Sequence, residues 1–455
     1  MQNKKLYPQS TSGKHRAVKN KLNILLLCLY FFTSWIRWGR GEGLPNQAIM
    51  IDLPSRRIYF FALQIWSDEI YFITIILILA ALGLFIFTSL YGRLWCGYTC
   101  PQTVFTDIFL KVEEFFQGDR NSRIKLDESY FNQEKLIKKS LTYLTWILIS
   151  FVFALSWVSY FYDVFDLYKD VFNFSVSSSA VIWLISLTLT TYLFAGFLRE
   201  KVCIYMCPYG RFQSAMIENS TKVVTYDYRR GEPRAKINEN KGDCIDCYKC
   251  VLVCPTGIDI RDGMQMECIG CGLCIDACNQ VMDKIGKEQN LILYTSANCL
   301  ENKNSKKGKL KKILEFKNIL YLTGFVIVFS LAIISLISKS DLNISILKER
   351  SPLFTMTPNG EIRNTFYLKI QNKSLKRKRL EIYIENLKPY VIKIQGIEEN
   401  CLEHSCYIDL EPEVENDFKI FIWSKNEIHE KNFSFVFRDF GDNKIYKEKN
   451  LYIYN

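Results

Sequence analysis

Histidine is nearly absent from this sequence of 455 residues: the three histidines are His15, His404 and His429, and none lies in an apolar run. Haem held inside a membrane by two histidines, and catalytic metal sites built mainly from histidine, are therefore excluded. The sequence also lacks a nucleic-acid recognition motif, although its net charge is +11. Much of that charge lies in loops beside apolar runs, where lysine and arginine fix the orientation of membrane spans. No nucleic-acid partner is expected.

The composition predicts membrane spans interleaved with soluble parts, because 49% of the residues are hydrophobic while an ordinary 23% are charged. Five apolar runs are candidates for membrane helices, and the first is rather short. A cleaved signal peptide is the alternative for the first run, but its end offers no small-residue cleavage site. The predicted spans are residues 22–38, 70–90, 141–160, 180–197 and 319–337.

Loop charge predicts how these spans cross the lipid bilayer. The tail of residues 1–21 is basic and has no acidic residue, and the segment between spans two and three is rich in lysine and arginine. The loop between spans three and four instead carries Asp163, Asp166 and Asp170 against Lys169. We therefore expect the N-terminus in the cytoplasm and the C-terminus on the opposite side of the membrane.

Two identically spaced cysteine runs, Cys-x-x-Cys-x-x-Cys-x-x-x-Cys, lie between spans four and five. In two-cluster bacterial ferredoxins with this spacing, the fourth cysteine of each run ligates the other [4Fe–4S] cluster. Zinc and disulfides are the alternatives, but eight thiols in two matching runs favour iron–sulfur clusters in a reducing cytoplasm. The predicted ligand sets are Cys244, Cys247, Cys250 and Cys278 for the first cluster, and Cys268, Cys271, Cys274 and Cys254 for the second.

A second pattern, Cys-x-x-x-Cys-Pro, occurs at the predicted cytoplasmic ends of spans two and four. Cysteines four residues apart share one helical face, and the proline that follows opens the turn, so each motif presents two soft sulfurs. Such thiolates bind Cu(I), zinc or an iron–sulfur centre, whereas the alternative is that they pack as small apolar residues. The repetition favours a functional site, whose residues are Cys96, Cys100, Cys203 and Cys207.

Beyond the last span, apolar and polar residues alternate with the period of half-buried strands, at residues 366–370, 380–384, 418–422 and 433–437. This pattern predicts an immunoglobulin-like β-sandwich. Cys401 and Cys406 are expected to form a disulfide there, with a copper site that includes His404 as the alternative. Cys28 and Cys299 show no pattern, and we expect them to be structural.

The predicted fold class is thus a multidomain membrane protein: an α-helical transmembrane bundle with a ferredoxin-like insert and a C-terminal β-sandwich. Its domains are a cytoplasmic basic tail (1–21), a transmembrane region with spans one to four (22–225), a ferredoxin-like domain with two [4Fe–4S] clusters (226–300), a basic linker (301–318), span five (319–338) and a periplasmic immunoglobulin-like domain (339–455). The linker's lysines are expected to attract anionic lipid. The arginine-rich residues 229–234 form either a charged turn or a surface facing a cluster or partner.

With these motifs the chain resembles the FixG/CcoG family of cytochrome c oxidase accessory proteins, which are membrane-bound double-cluster ferredoxins. The resemblance covers nearly the whole chain and rests on residues 95–104, 203–208 and 230–234, the double cysteine run and the β-rich tail. It implies a bacterial inner-membrane protein that assists assembly of cbb3-type oxidase, with cupric reduction as its chemistry. The implied partners are the oxidase assembly machinery, copper-transport proteins and a cytosolic electron donor.

Three functions are compatible with these residues. In the first, the thiols of Cys96, Cys100, Cys203 and Cys207 form the catalytic site where Cu(II) is reduced and Cu(I) is held. In the second, the chain exchanges electrons with quinol, as the similar NapH-type membrane ferredoxins are thought to do, although those proteins lack the β-rich tail. In the third, the chain is an assembly scaffold whose clusters are structural.

Overall fold

The computed structural model describes residues 5–40, 44–234, 242–301, 315–358, 360–374, 376–387, 390–424 and 430–453. The chain divides into two compact units, Met1–Ala332 and Ile333–Asn455. The predicted lysine run of residues 303–312 and His429 lie outside the described residues.

The α-helices lie in the first unit, apart from the end of the last helix. They are α1 (Lys14–Phe32), α2 (Tyr71–Tyr91), α3 (Leu94–Tyr98), α4 (Pro101–Gln117), α5 (Arg120–Glu128), α6 (Gln133–Val158), α7 (Val164–Phe172), α8 (Ser178–Thr191), α9 (Pro208–Met216), α10 (Tyr228–Gly231), α11 (Lys249–Leu252), α12 (Leu273–Ile285), α13 (Ala297–Glu301) and α14 (Phe316–Ile337). Two π-helical turns, Tyr192–Leu198 and Val202–Met206, follow α8.

Four helices are long and apolar enough to cross a membrane: Ser67–Tyr91, Gln133–Val158, Ser178–Leu198 and Phe316–Ile337. They correspond to four of the five predicted spans. Residues 22–32 of the first predicted span lie in α1, but the helix ends at Phe32, so residues 33–38 of that span are outside it. Helix α1 is not among these four helices because its first turns carry four basic side chains: Lys14, Arg16, Lys19 and Lys21.

Helix α1 nevertheless packs against α6, one of the four candidate membrane helices, and against α4. Near its end, the Tyr30 ring stacks on Phe153 of α6 with centroids 4.4 Å apart, and the Tyr160 hydroxyl donates to the Tyr30 carbonyl (2.8 Å). Near its start, Arg16 pairs with Asp107 of α4 at 2.7 Å. The 19 residues of α1 span roughly 28 Å at 1.5 Å per residue, close to the thickness of a bilayer core. Membrane crossing by α1 stays a prediction.

The start of α1 is held by the ferredoxin-like domain. The N–H groups of His15 and Arg16 donate to the Asp276 carboxylate at 3.2 and 2.8 Å, since the first N–H groups of a helix have no partner within it. The carboxylate charge also suits the positive end of the helix. A Cβ at Gly13 would lie 2.3 Å from Asp276 Cγ, so this approach requires glycine. The N-terminal tail and the ferredoxin-like domain therefore lie at the same end of the helices.

The strands form two small sheets in the first unit and two larger ones in the second. They are β1 (Ile49–Asp52), β2 (Arg57–Phe60), β3 (Leu63–Ile65), β4 (Val223–Tyr226), β5 (Ile292–Thr295), β6 (Leu342–Lys348), β7 (Thr355–Met356), β8 (Ile362–Asn372), β9 (Lys378–Glu385), β10 (Val391–Ile394), β11 (Ser405–Leu410), β12 (Glu415–Ser424), β13 (Glu430–Asp439) and β14 (Ile445–Ile453). Strands β1, β2 and β3 form one small sheet. Strand β4, which precedes the double cysteine run, pairs antiparallel with β5, which follows it.

The second unit is an antiparallel sandwich. One sheet has the order β10-β12-β8-β6 with β7 paired to β8, and the other has the order β11-β9-β13-β14. In β8, Phe366 and Leu368 are buried in the core whereas Tyr367 and Lys369 are exposed, which is the period-two pattern of a half-buried strand. The four alternating segments lie in β8, β9, β12 and β13. The predicted fold class of membrane helices, ferredoxin-like insert and immunoglobulin-like sandwich is confirmed.

Candidate metal centres

The first predicted ligand set surrounds one cavity. Cys244, Cys247, Cys250 and Cys278 line one small cavity, together with Tyr226, Arg261 and mostly apolar residues. Burial, followed by the charges of the three other thiols of the set, raises the pKa of the Cys278 thiol to about 12. Such buried thiolates need a nearby cation to offset the cost of their charge. Four cysteines around one cavity fit the donor set of a [4Fe–4S] cluster.

The second predicted set surrounds a neighbouring cavity. Cys254, Cys268, Cys271 and Cys274 line a second small cavity, which Cys250 also borders. Burial raises the pKa of Cys268 to about 12 and that of Cys274 well above its usual value. The fourth cysteine of each run thus faces the first three of the other, and this donor set also fits a [4Fe–4S] cluster.

The two runs share an unusual backbone around their central cysteine. In the first run, Asp246 and Tyr248 on either side of Cys247 have φ of 53° and 58°; in the second, Gly270 and Gly272 have φ of 66° and 72°. Left-handed turns of this kind direct successive N–H groups inward and suit a negatively charged occupant. Glycine adopts this conformation without strain, whereas Asp246 and Tyr248 need support from their surroundings.

That support comes from Arg261, whose side chain is 2% exposed. Its guanidinium carbon lies 4.1 Å from the centroid of the Tyr248 ring, and the same group donates to Asp246. Asp259 fixes the guanidinium with hydrogen bonds of 2.8 Å from Nε and 2.5 Å from Nη2. Sequence reasoning missed Arg261, because no spacing rule links it to the cysteines.

The glycines of the second run allow close packing on the membrane-proximal helices. A Cβ at Gly270 would lie 3.2 Å from the carbonyl carbon of Arg93, and one at Gly272 would lie 2.8 Å from Cγ of His15. The two runs therefore face opposite surroundings: Cys247 is exposed, whereas Cys271 is buried.

Each Cys-x-x-x-Cys-Pro motif has the same local structure. The first cysteine lies in a short helical turn, Leu94–Tyr98 or Val202–Met206. The second is extended, with ψ of 129° at Cys100 and 111° at Cys207, and its proline is the first residue of α4 or α9. The two thiols of a motif therefore do not share one helical face as predicted. Proline disfavours a helical residue before it and starts a new helix, so the second cysteine becomes an N-cap.

Tertiary contacts bring the two motifs together. The Cys96 thiol donates to Oε1 of Gln213 in α9 (3.1 Å), and Arg93 Nε donates to the same oxygen (3.3 Å). A Cβ at Gly210 would lie 2.7 Å from Arg93 Nη2 and 3.0 Å from the carbonyl oxygen of Cys203. Sequence reasoning missed Gln213 and counted Arg93 only as a loop charge.

The four membrane-proximal thiols influence one another. The pKa of Cys96 is raised to about 11, mainly by burial; Arg93 opposes this rise, whereas Cys100 and Cys207 contribute to it. The pKa of Cys203 is raised to about 12, mainly by burial and then by the neighbouring thiols of Cys100, Cys96 and Cys207. Within the part of the chain that the structure describes, no group of three or more His, Cys, Asp or Glu residues is placed to hold a single metal ion.

A cavity opens to solvent beside Cys203. It lies between the N-terminal tail, α4 and the loops of the second ligand set, with Ile269 and Leu273 in its wall. Most of its charged side chains are basic: Arg16, Lys19, Lys111, Arg123 and Arg199, against Asp107, Glu114 and Glu200. This cavity gives a small solute access to Cys203.

The other cysteines and the arginine-rich stretch lie outside the two ligand sets. Cys401 and Cys406 form a disulfide, which leaves no free thiol for the alternative copper site with His404. Cys28 and Cys299 are exposed and lie in neither ligand set. In the arginine-rich stretch, Arg230 pairs with Asp243 at 2.9 Å, next to the first cysteine of the double run.

Three segments of the chain match known families: residues 198–297 a "4Fe-4S dicluster domain", residues 73–122 a "4Fe-4S binding domain", and residues 332–453 the "IG-like fold at C-terminal of FixG". Protein RdxA of Cereibacter sphaeroides is 41% identical over 400 residues, which cover 86% of this chain and 85% of that protein. Nitrogen fixation protein FixG of Rhizobium meliloti is 37% identical over 431 residues, covering 86% of this chain and 81% of the other. Protein RdxB of Cereibacter sphaeroides is 40% identical over 400 residues, covering 86% and 84%.

Proposed function

This chain belongs to the FixG family of membrane-bound iron–sulfur electron-transfer proteins, and we propose that it assists assembly of cbb3-type oxidase by reducing Cu(II) to Cu(I). Copper must be in its reduced form for thiol-based delivery, because soft thiolates prefer Cu(I). An iron–sulfur protein that acts next to copper-transport partners meets that need.

One observation carries this proposal: three cysteine sets follow one another from solvent to the membrane helices. Cys247 of the first set is exposed. Cys250 lies at the boundary of the first and second cavities. Cys271 and Cys274 of the second set pack in the same apolar cluster as Cys96. This order supports electron entry at the first set and exit at the membrane-proximal thiols.

We assign the two clusters to the crossed ligand sets described above. When bound, such clusters supply one-electron transfer. The protein residues keep water out, since Ile258, Ile260 and Ile275 are buried around the cysteines. Arg261 and the paired left-handed turns hold the first run in a shape that presents N–H groups to an anionic cluster.

We place the reduction of copper at Cys96, Cys100, Cys203 and Cys207. In this step Cu(II) gains one electron and becomes Cu(I), and an external low-potential protein carrier replaces the electron at the first cluster. In the simplest form of the site the thiolates hold the ion themselves, which favours the reduced product. The cavity beside Cys203 connects these thiols to solvent.

The proposal includes the orientation of the chain in a bacterial inner membrane. The ferredoxin-like domain lies in the cytoplasm, where its thiols stay reduced, and the immunoglobulin-like domain lies in the periplasm. The contact between the N-terminal tail and Asp276 supports a common side for the tail and the clusters. The Cys401–Cys406 disulfide suits an oxidising compartment for the C-terminal domain.

The test is anaerobic reduction of the clusters in the full chain, followed by mixing with Cu(II) while cluster absorbance is recorded. We expect rapid oxidation of the clusters with formation of Cu(I), and a fall of at least about tenfold in the rate for Cys100→Ser/Cys207→Ser, equivalent to about 1.4 kcal/mol in the barrier. The control is Cys28→Ser, which alters an exposed cysteine outside both sites. Oxidation by quinone instead of copper would favour quinol-linked electron transfer, and oxidation by neither would favour a scaffold.

A further inference from the structure

The four membrane-proximal cysteines come from two copies of one local structure. Cys96 and Cys203 lie in short turns, while Cys100 and Cys207 precede the first residues of α4 and α9. Neither N-cap thiol bonds to its own helix, so both sulfurs remain available to a ligand at the positive ends of two helices. Helix N-termini stabilise negative charge.

A buried cation beside these thiols also calls for an anionic occupant. Arg93 is 6% exposed, and among the described residues it forms no ion pair with a carboxylate. Its guanidinium donates to the Gln213 side chain and to the carbonyl of Met266. Gln213 accepts hydrogen bonds from both Arg93 and the Cys96 thiol, and the Gly210 position lies close to both Arg93 and the Cys203 carbonyl, so Arg93 lies between the two motifs. A buried charge without a counter-charge is costly, and an anionic group between the motifs would remove that cost.

In the described part of the chain, no three metal-binding side chains are arranged around a single ion, and this holds for the two ferredoxin-type sets as well. A cubane cluster takes its ligands at four separate corners, because each of its four irons binds one thiolate. The segment that matches a 4Fe-4S binding domain contains only Cys96 and Cys100, so the other two ligands must come from elsewhere in the chain.

We propose that Cys96, Cys100, Cys203 and Cys207 together bind a third [4Fe–4S] cluster, with Arg93 as its counter-charge. Binding converts four thiols to thiolates and releases four protons to solvent. This inference rests on the proposed electron path to these thiols. The four thiolates then bind the cluster and do not bind copper. Cu(II) then remains the substrate, which is reduced from the cavity beside Cys203 instead of being held by the four sulfurs.

Iron and acid-labile sulfide are measured in the anaerobically purified full chain after reconstitution, with Mössbauer spectra to count the clusters. We expect about twelve irons per chain, and about eight in Cys100→Ser/Cys207→Ser. The matched control, Cys28→Ser/Cys299→Ser, changes two exposed cysteines and retains about twelve.

A wild-type content of about eight irons overturns the proposal, whether or not the double variant folds. Equal iron in the wild type and a folded Cys100→Ser/Cys207→Ser variant also overturns it. The count is independent of the copper assay. Twelve irons without Cu(II) reduction would keep the cluster and reject the copper function, whereas eight irons with thiol-dependent reduction would do the reverse.

Discussion

Gly97, between the two cysteines of the first membrane motif, lies directly against the backbone of Cys271. A Cβ at Gly97 would lie 2.8 Å from both Cα and N of Cys271, closer than non-bonded carbon atoms approach. The backbone that carries Cys96 and Cys100 therefore packs directly on the backbone of the second ferredoxin-type cysteine run, without an intervening side chain at Gly97.

The first prediction concerns this contact. Gly97→Val should push the two sites apart and destabilise the protein by about 1–3 kcal/mol, the usual cost of overpacking. We expect slower Cu(II) reduction while the two ferredoxin-type clusters remain reducible, measured by stopped-flow absorbance. Gly39→Ala is the control, because no atom lies within 4 Å of its Cβ position. Unchanged kinetics in Gly97→Val would show that electrons leave by another route.

The second prediction tests the crossed ligands. Cys254→Ser should alter the cluster that Cys268, Cys271 and Cys274 hold, because Cys254 lines their cavity. Cys278→Ser should alter the first cluster for the same reason. Electron paramagnetic resonance of the two reduced variants distinguishes the clusters. Damage to the cluster of its own run in each variant would refute the crossing.

The third prediction concerns Arg261. Arg261→Ala leaves the partly exposed carboxylates of Asp246 and Asp259 without their buried partner, and losing hydrogen bonds to charged groups typically costs about 1.5–3 kcal/mol. We expect the first cluster to be lost faster in air than the second, followed by absorbance and iron release. Arg229→Ala, at an exposed position, is the control. Equal loss of both clusters would mean that Arg261 supports the whole domain instead of the first run.

The fourth prediction concerns the docking of α1. Asp276→Ala removes the acceptor of two N–H groups at the helix start and should cost about 0.5–2 kcal/mol. Trypsin should then cleave faster after Lys14 and Arg16 in the full chain. Asp283→Ala changes an exposed carboxylate of the same helix and should cleave at the wild-type rate. Identical cleavage in the two variants would argue against this cap.

The fifth prediction concerns orientation. A reporter that is active only in the periplasm should work when fused after residue 455 and fail when inserted near Asn290, because loop charge places these positions on opposite sides. Immunoblots should show similar amounts of the two fusion proteins, so that their reporter activities can be compared. The reverse activities would overturn both the span count and the side on which the clusters lie.

Much of the fold was predictable because its signals are local. The spacing of the double cysteine run predicted two ferredoxin-type ligand sets, and the two predicted sets line two cavities. Alternation with period two predicted the strands of the β-sandwich, since every second side chain must enter the core. The apolar runs predicted five membrane helices, and four of them correspond to helices long and apolar enough to cross a membrane. The short first run shares α1 with four basic residues near the helix start.

The sequence by itself determined the cysteine spacings, the apolar runs and the alternating strands, because each depends on neighbours within a few positions. Only the tertiary structure decided which distant residues meet. Cys96 meets Gln213, and Gly97 meets Cys271, across separations that no local periodicity encodes. It also decided that Cys100 and Cys207 leave the preceding turn and cap new helices. Such contacts depend on how whole elements pack, and packing is fixed by the shapes of both partners at once.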